Sequence, residues 1–193
     1  MNIGLCITGS FCTYEKILEI TDKIVKEGHK VIPIVSDAVK NMDTRFGKAK
    51  DFIEKIEAVT GNEVVSTVVQ AEPLGPQNAI DVLAVAPCTG NTLAKLSCGI
   101  SDDAVTMSCK AHMRNYKPLV IAISTNDALG LNMKNIATLM NEKNVYFVPF
   151  GQDNPEKKPK SLIADYDLLL DTILIAEKGK QLQPIIFAKN YLL

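Results

Sequence analysis

The chain has 193 residues, of which 47% are hydrophobic and 22% charged, a balance typical of one soluble globular domain. Its formal net charge of −1 argues against a protein that binds nucleic acids or membrane surfaces through an excess of basic residues. No apolar run reaches the roughly 18 residues of a transmembrane helix, and the first residues lack the basic start of a signal peptide. The five cysteines show no C-x-x-C spacing, so the sequence predicts a reduced, cytoplasmic protein without disulfides.

Short apolar runs alternate with longer amphipathic segments along the chain, which predicts a parallel sheet with helices on both faces. The predicted strands are 2–8, 30–36, 81–87, 118–124 and 144–149, with a weaker candidate at 64–69. The predicted helices are 13–27, 44–60, 89–99, 132–141 and 161–178. We therefore expect a single α/β domain over 1–193, with a three-layer, doubly wound sheet of the Rossmann or flavodoxin type.

Two further segments have distinctive compositions. Residues 151–160 are polar and contain two prolines, which predicts a long surface loop of the kind that often carries function or an interface. The tail over 179–193 is rich in apolar residues at its end. Because an exposed apolar tail is unfavourable in water, we expect it to pack on the domain or on a neighbouring subunit.

The first predicted strand runs through a polar turn into a helix, at the edge of the sheet where such folds bind ligands. Backbone N–H groups at a helix start, with the hydroxyls of Thr8, Ser10 and Thr13, suit a phosphate group. The turn has one glycine, Gly9, and matches neither a dinucleotide motif nor a Walker loop. This pattern favours a mononucleotide or a single phosphate, and an ordinary capped helix is the alternative.

Two other turns end at the same edge of the predicted sheet. Ser36 follows the second strand and either binds the same phosphate or caps the next helix. After the strand at 81–87, Thr89, Asn91 and Thr92 are predicted to cap a helix and to line the site. Cys88 is either a small packing residue or a reactive thiol, since a helix start can lower a thiol pKa.

Several segments together resemble the homo-oligomeric flavin-containing cysteine decarboxylases, a family that includes phosphopantothenoylcysteine decarboxylases and flavin prenyltransferases. The segments are 8–10, 35–36, 86–95 and 99–103, and the resemblance extends over about 1–178. It implies a site for FMN, or for phosphate alone, with Thr8, Gly9, Ser10 and Ser36 at the phosphate. By the same resemblance, the ribityl chain and ring edge are lined by Cys88, Thr89, Asn91 and Thr92, and Phe11 and Pro87 complete the predicted cofactor-binding set.

The chain departs from the family at two catalytic positions. The decarboxylases have a catalytic histidine in the segment that corresponds to 68–77, and this chain has none there. The prenyltransferases have an Arg-Glu pair after the fifth strand, where this chain has Ser-Thr-Asn-Asp at 124–127. Segments 115–121, 124–130, 148–155 and 181–184 resemble a branch that works with a separate NADP-binding subunit. That resemblance implies a homo-oligomer in the mother cell of a sporulating bacterium, which helps to oxidise dihydrodipicolinate to dipicolinic acid.

Such a substrate carries two carboxylates, so its site needs cations or oriented N–H donors. The candidates that we expect near the same sheet edge are Lys95, Lys110, His112 and Arg114. His112 is the candidate catalytic base, and a surface histidine is the alternative. The adjacent Asp102 and Asp103 are interpreted as a helix cap or solvated turn, so no metal site is predicted.

Two other functions stay open on the sequence alone. The first is a stand-alone FMN-dependent decarboxylase or oxidoreductase of the same family. The second is a non-catalytic scaffold that stabilises the NADP-binding partner and binds only phosphate or substrate. Activity of the isolated chain would favour the first, and rescue of the partner by a chain without the site would favour the second.

Overall fold

The computed structural model describes residues 1–187. Its strands are β1 (Asn2–Ile7), β2 (Lys30–Val35), β3 (Val82–Cys88), β4 (Leu119–Thr125), β5 (Val145–Phe147), β6 (Phe150–Gly151) and β7 (Leu162–Ala164). Its helices are α1 (Tyr14–Lys26), α2 (Asp37–Asn41), α3 (Ala49–Thr60), α4 (Val68–Ala71), α5 (Gly90–Ser97), α6 (Ala104–Met113), α7 (Met133–Met140) and α8 (Leu169–Ala176). No helix within 1–187 is long and apolar enough to cross a membrane.

Five strands form the parallel part of the sheet, in the order β2-β1-β3-β4-β5. In this register Ile3 of β1 lies opposite Val31 on one side and Val82 on the other. The order is that of flavodoxin-like folds, whose ligands bind beyond the carboxyl ends of the strands. The predicted α/β fold class is therefore confirmed, and the strand order indicates which edge of the sheet holds the site.

The sheet core explains why the parallel strands were predictable. All seven residues of β3 are buried, as expected for a central strand that is covered by helices on both faces. Helix α1 buries Ile17, Ile20 and Ile24, which recur at the helical spacing of three and four. The helix ends before Gly28, whose φ of +87° is accessible to glycine at little cost.

The last part of the sheet differs from the prediction, because β6 and β7 are antiparallel. Ile163 and Leu162 of β7 pair with Ser124 and Thr125, at the carboxyl end of β4. The predicted helix over 161–178 is therefore wrong before α8 begins at Leu169. A short apolar run is compatible with either a strand or a buried helix. Here the segment forms a strand because it pairs with the carboxyl end of β4.

Two other local predictions are corrected, and helix α6 was missed. The weak strand at 64–69 is only a single bridge between Val65 and Ile34, followed by helix α4. The predicted helix over 44–60 begins only at Ala49, because Thr44 and Gly47 close a tight turn before it. Helix α6 was not predicted, and it lies buried along most of its length.

The tail packs along the sheet edge as far as it is described. The Phe150 N–H donates to the Ile185 carbonyl at 3.0 Å, and the Phe187 N–H donates to the Phe150 carbonyl at 3.3 Å. The Gln181 side chain both donates to and accepts from the backbone of Phe147. Residues 188–193, which include the apolar end of the tail, lie outside the described residues.

Candidate functional site: two adjoining cavities at the carboxyl edge of the sheet

Two cavities open side by side where β1, β2, β3 and β4 end. One has a volume of about 400 Å³ and the other about 640 Å³, and Gly9, Phe11 and Thr89 line both of them. We call them the phosphate cavity and the outer cavity. The phosphate cavity collects seven of the ten predicted cofactor-binding residues: Thr8, Gly9, Phe11, Ser36, Thr89, Asn91 and Thr92.

Ser36 is the residue of the phosphate cavity whose chemistry most directly indicates a ligand. Its side chain is 6% exposed, and its hydroxyl oxygen has no hydrogen-bond partner. It makes no capping hydrogen bond to α2, so the capping role considered for it is not observed. A buried hydroxyl without a partner costs roughly 1–3 kcal/mol, and a phosphate oxygen in the cavity would relieve that cost.

The start of α5 forms another wall of the phosphate cavity. The Thr89 hydroxyl accepts a hydrogen bond from the Thr92 N–H and lies 3.1 Å from the Thr92 hydroxyl. The N–H groups in the first turn of a helix have no acceptor within that helix and carry the positive end of its dipole. The helix start therefore presents hydroxyl and N–H donors to the phosphate cavity.

Thr8 lines this cavity, but its hydroxyl is already used within the fold. It donates to the Pro87 carbonyl at 2.6 Å and accepts from the Thr89 N–H at 3.1 Å. Thr8 is 1% exposed, and both of its partners lie at the end of β3 or just after it. The Thr8 hydroxyl therefore joins the turns after β1 and β3, and its proton is not available to a ligand in the cavity.

Two glycines allow close approach of the turns around the cavities. A Cβ atom on Gly9 would lie 3.3 Å from the Ala38 side chain. On Gly90 it would lie 2.5 Å from the Asn132 amide nitrogen and 2.8 Å from the Thr125 hydroxyl. The start of α5 therefore packs directly against the segment after β4.

Ser10 lies on the outer cavity and not on the phosphate cavity, which separates it from Ser36. Its hydroxyl is 2.8 Å from the Ser124 hydroxyl at the end of β4. The outer cavity is lined further by Thr125 and Ser161, and by the charged residues Arg45, Asp127, Asp153 and Lys158. It thus offers neutral donors as well as both signs of charge.

Pro87 and Cys88 are buried at the end of β3 and line neither cavity. Cys88 is completely buried, and burial raises the pKa of its thiol well above its ordinary value. A thiol that stays protonated is a poor nucleophile. Of the two interpretations of Cys88, the structure therefore supports the small packing residue.

The structure does not bring the predicted cations together. Lys95 lines the phosphate cavity, where its hydrogen bond to Asp102 at 2.8 Å raises the pKa of the ammonium group. Lys110 lies instead beside a groove with Ile100 and Met113. Arg114 is exposed and follows the end of α6, near the amino end of β4.

His112 does not lie near the cavities, which contradicts its expected place at the carboxyl edge. It is 5% exposed, so it is not a surface histidine either. Its Nε2 donates to the carbonyl of Pro118 at 2.9 Å, directly before the first residue of β4. Burial lowers its pKa to about 4, and the nearby Lys117 acts in the same direction. The expected position was wrong because helix α6, which carries His112, was not predicted.

Asp103 caps α6, as the sequence suggested for one of the two adjacent carboxylates. Its carboxylate accepts from the Thr106 N–H at 2.8 Å, and the Thr106 side chain completes a capping box. Asp102 pairs with Lys95. Within residues 1–187, no three side chains of the metal-binding types cluster closely enough to hold an ion.

Arg45, Asp127 and Lys158 were not singled out from the sequence. Arg45 belongs to the turn that was assigned to a helix, and Lys158 lies in the polar loop over 151–160. The predicted functional character of that loop was the only sequence signal for Lys158. No sequence pattern around Arg45 indicates a functional residue, because only the folded turn brings it to the outer cavity.

The flavoprotein family profile matches residues 1–174, which is most of the chain. The chain belongs to the flavoprotein family. It is 48% identical over 189 residues to the B subunit of dipicolinate synthase from Bacillus subtilis (strain 168), covering 98% of this chain and 94% of that protein. These matches confirm the resemblance that the sequence motifs carry.

Solved structures place this flavoprotein among the same relatives. The crystal structure of the B subunit of dipicolinate synthase from Bacillus halodurans superposes with a TM-score of 0.89 at 46% identity, covering 97% of this chain and 96% of that one. An FMN-dependent cysteine decarboxylase superposes at 0.69 with 21% identity, covering 92% of this chain and 97% of the other, and so shares the fold. The fold is thus common to proteins of more than one activity.

The flavoprotein site has the features that FMN requires at its phosphate. It combines the unpartnered Ser36 hydroxyl, the donors at the start of α5, and a Gly9 turn that a side chain would crowd. Such donors bind a phosphate without the need for a cation, because N–H groups and the helix dipole carry the positive potential. The residues that are present therefore fit the cofactor.

Proposed function

We propose that this chain is the flavoprotein-type subunit of a two-subunit dipicolinate synthase. The observation that carries the proposal is the 48% identity to the Bacillus subtilis protein over nearly the full length of both chains. The superposition on the Bacillus halodurans protein, with a TM-score of 0.89 over 97% of this chain, supports it.

In this proposal the phosphate cavity holds FMN, or a phosphate group at the same place. Ser36 donates its free hydroxyl to a phosphate oxygen, while Asn91 and Thr92 at the start of α5 provide further polar contacts. FMN, when bound, supplies a carrier of electrons next to the outer cavity. Thr8 holds the turns after β1 and β3 together, and Gly90 leaves the room that Thr125 and Asn132 need to pack against α5.

The overall reaction of the proposed enzyme removes two hydrogens from dihydrodipicolinate. One leaves as a hydride to NADP⁺, which becomes NADPH, and one leaves as a proton, so that the ring becomes aromatic. The first turn of this chain lacks a dinucleotide motif, and we therefore place NADP on the other subunit of dipicolinate synthase. The task of this chain is to bind and orient the dicarboxylate in the outer cavity.

We also propose that the chain forms homo-oligomers in the cytoplasm of the sporulating mother cell. Large apolar side chains are exposed on the surface, including Met42 at 55% and Phe46 at 54%, which line the cavities, and Leu131 at 77%. A second copy that covers them would remove apolar surface from water, which favours association. Light scattering should show an oligomer, and a stable monomer at micromolar concentration would contradict this part of the proposal.

A reconstitution assay tests the proposed function. The chain is mixed with the NADP-binding subunit, NADP⁺ and dihydrodipicolinate, and the formation of NADPH and of the aromatic product is followed by absorbance. We expect product only when both subunits are present. Equal activity of the partner alone would contradict the proposal, and activity of this chain alone would favour a stand-alone enzyme.

A variant with an altered cavity separates catalysis from scaffolding in the same assay. Thr92→Ala removes a hydroxyl from the phosphate cavity without removing a large core side chain. The control Thr138→Ala removes an exposed hydroxyl of α7. A slower reaction for Thr92→Ala alone supports a direct role of the cavity, whereas full rescue of the partner by both variants indicates a scaffold.

A further inference from the structure

We propose that Arg45 and Lys158 form a dicarboxylate-binding subsite in the outer cavity, and this inference rests on the proposed function. The two residues are far apart in the sequence, on the turn before α3 and on the loop before β7. Both nevertheless line the same cavity of about 640 Å³. They are the cations that this cavity presents to a ligand within the described residues.

Arg45 is free to bind an anion. Its guanidinium group lies over the ring of Phe46, 4.8 Å from the centroid, and forms no ion pair within residues 1–187. A stacked guanidinium keeps its edge N–H groups available, and its planar fork matches the two oxygens of a carboxylate. Arg45 therefore offers a bidentate contact to an anion in the outer cavity.

Lys158 is held only weakly by the protein. Its ammonium group lies 3.3 Å from an oxygen of Asp153, and its side chain is 50% exposed. Ion pairs of this exposure contribute little free energy, typically about 0–1 kcal/mol. A carboxylate of the ligand can therefore compete with Asp153 for this ammonium group.

Hydroxyl groups that line the same cavity complete the subsite. Ser10 and Ser124 line the cavity, 2.8 Å from each other, and Ser161 follows the loop that carries Lys158. A rigid diacid with both carboxylates on one ring can contact Arg45 at one end and Lys158 at the other. The subsite is adjacent to the phosphate cavity, with Gly9, Phe11 and Thr89 between them.

Asp127 should weaken the binding of a diacid in the outer cavity, and changing it therefore tests the proposal in the opposite direction to changing a cation. Its carboxylate lines the same cavity and repels a dianion. Neutralising a cation of the subsite must weaken the binding of a diacid, while neutralising Asp127 must strengthen it. A cavity that binds a planar ring through shape alone would show neither change.

The experiment is a calorimetric titration of the full chain with pyridine-2,6-dicarboxylate at low ionic strength. We expect saturable binding that is about tenfold weaker in Arg45→Gln and in Lys158→Gln. Asp127→Asn should bind several-fold more tightly. The control Lys157→Gln removes a neighbouring exposed charge that does not line the cavity, and it should bind within twofold of the unaltered chain.

Two further measurements keep the outcome unambiguous. FMN or phosphate affinity, measured on each variant, shows that the phosphate cavity and the fold are intact. Pyridine-2-carboxylate, which has one carboxylate, should bind more weakly than the diacid and should respond less to Lys158→Gln or to Arg45→Gln. Unchanged diacid affinity in both cation variants, or no saturable binding to the unaltered chain, would overturn the subsite.

The subsite and the proposed function fail in different ways. If the diacid binds with the predicted charge dependence but the reconstituted subunits form no NADPH, the proposed reaction is wrong and the subsite stands. If the reconstituted enzyme is active and both cation variants keep the KM of the unaltered chain, the function stands and the subsite is wrong.

Discussion

The Ser10 hydroxyl lies 2.8 Å from the Ser124 hydroxyl, which joins the turn after β1 to the end of β4. Between these two strands in the sheet lies β3, whose following turn carries Thr89. Both hydroxyls line the outer cavity, and Gly9, which precedes Ser10, lines the phosphate cavity as well.

Ser36→Ala should weaken FMN binding about tenfold, because it removes the free hydroxyl of the phosphate cavity. The same change should leave the free energy of unfolding unchanged or slightly raised, since an unpaired buried hydroxyl is removed. Fluorescence titration and urea unfolding measure the two effects. The control Ser108→Ala removes another buried, unpartnered hydroxyl, on α6, and should not alter FMN affinity. Equal affinities in the two variants would exclude Ser36 from the site.

Thr8→Val should destabilise the fold by roughly 1–3 kcal/mol, because it leaves a buried carbonyl and a partly buried N–H group without partners. These are the Pro87 carbonyl and the Thr89 N–H, which now bond to the Thr8 hydroxyl at 2.6 and 3.1 Å. Urea unfolding measures the loss. The control Thr138→Val removes an exposed hydroxyl that donates to the Lys134 carbonyl, and should change stability by less than about 0.5 kcal/mol. A similar loss in both variants would contradict the bridging role.

His112 should make the protein less stable as the pH falls. Burial lowers its folded-state pKa to about 4, while in the unfolded chain it titrates near its ordinary pKa of about 6.5. Between these two pH values the unfolded state binds a proton that the folded state excludes. The contribution is therefore fully present above about pH 6.5 and is lost as the pH falls towards about 4.

Urea unfolding at pH 7 and pH 5 should show a difference of about 2 kcal/mol from this residue. His112→Gln keeps a donor for the Pro118 carbonyl but does not titrate, so its stability should depend less on pH over the same interval. The same pH dependence in this variant would assign the effect to other groups.

Thiol reagents should modify Cys12 and Cys98 readily and Cys88 only after unfolding. Cys12 and Cys98 are exposed, whereas Cys88 is fully buried and burial raises the pKa of its thiol. Alkylation at neutral pH followed by peptide mass analysis distinguishes the sites. Rapid modification of Cys88 in the folded chain would restore it as a candidate nucleophile.

The parallel sheet was predictable because its strands are continuous apolar runs that are separated by amphipathic helices. Helix α6 escaped prediction for the opposite reason. It buries Val105, Ser108, Cys109 and His112 and most of the residues between them, so it has no polar face to give a helical period. The antiparallel strand β7 was not predicted, because the sequence stays rich in apolar residues from β7 into α8 and therefore resembles one helix. Only the pairing of β7 with the end of β4 distinguishes it as a strand.

Most residues of the phosphate cavity were predictable, because they lie on three turns at the carboxyl edge of the sheet and each turn follows a recognisable strand. Thr89 and Thr92 are one helical turn apart, and Ser36 directly follows β2. The outer cavity was not predictable, since Arg45 and Lys158 lie on loops whose paths depend on the whole fold. The misplacement of His112 has the same origin, because its position depends on a helix that the sequence pattern concealed.

The most direct test of the site is a titration of the purified full chain with FMN, followed by quenching of flavin fluorescence. We predict saturable binding that inorganic phosphate weakens by competition, because both ligands need the Ser36 hydroxyl and the donors at the start of α5. The absence of saturable quenching, or binding that phosphate leaves unaffected, would contradict the assignment of the phosphate cavity as the flavin site.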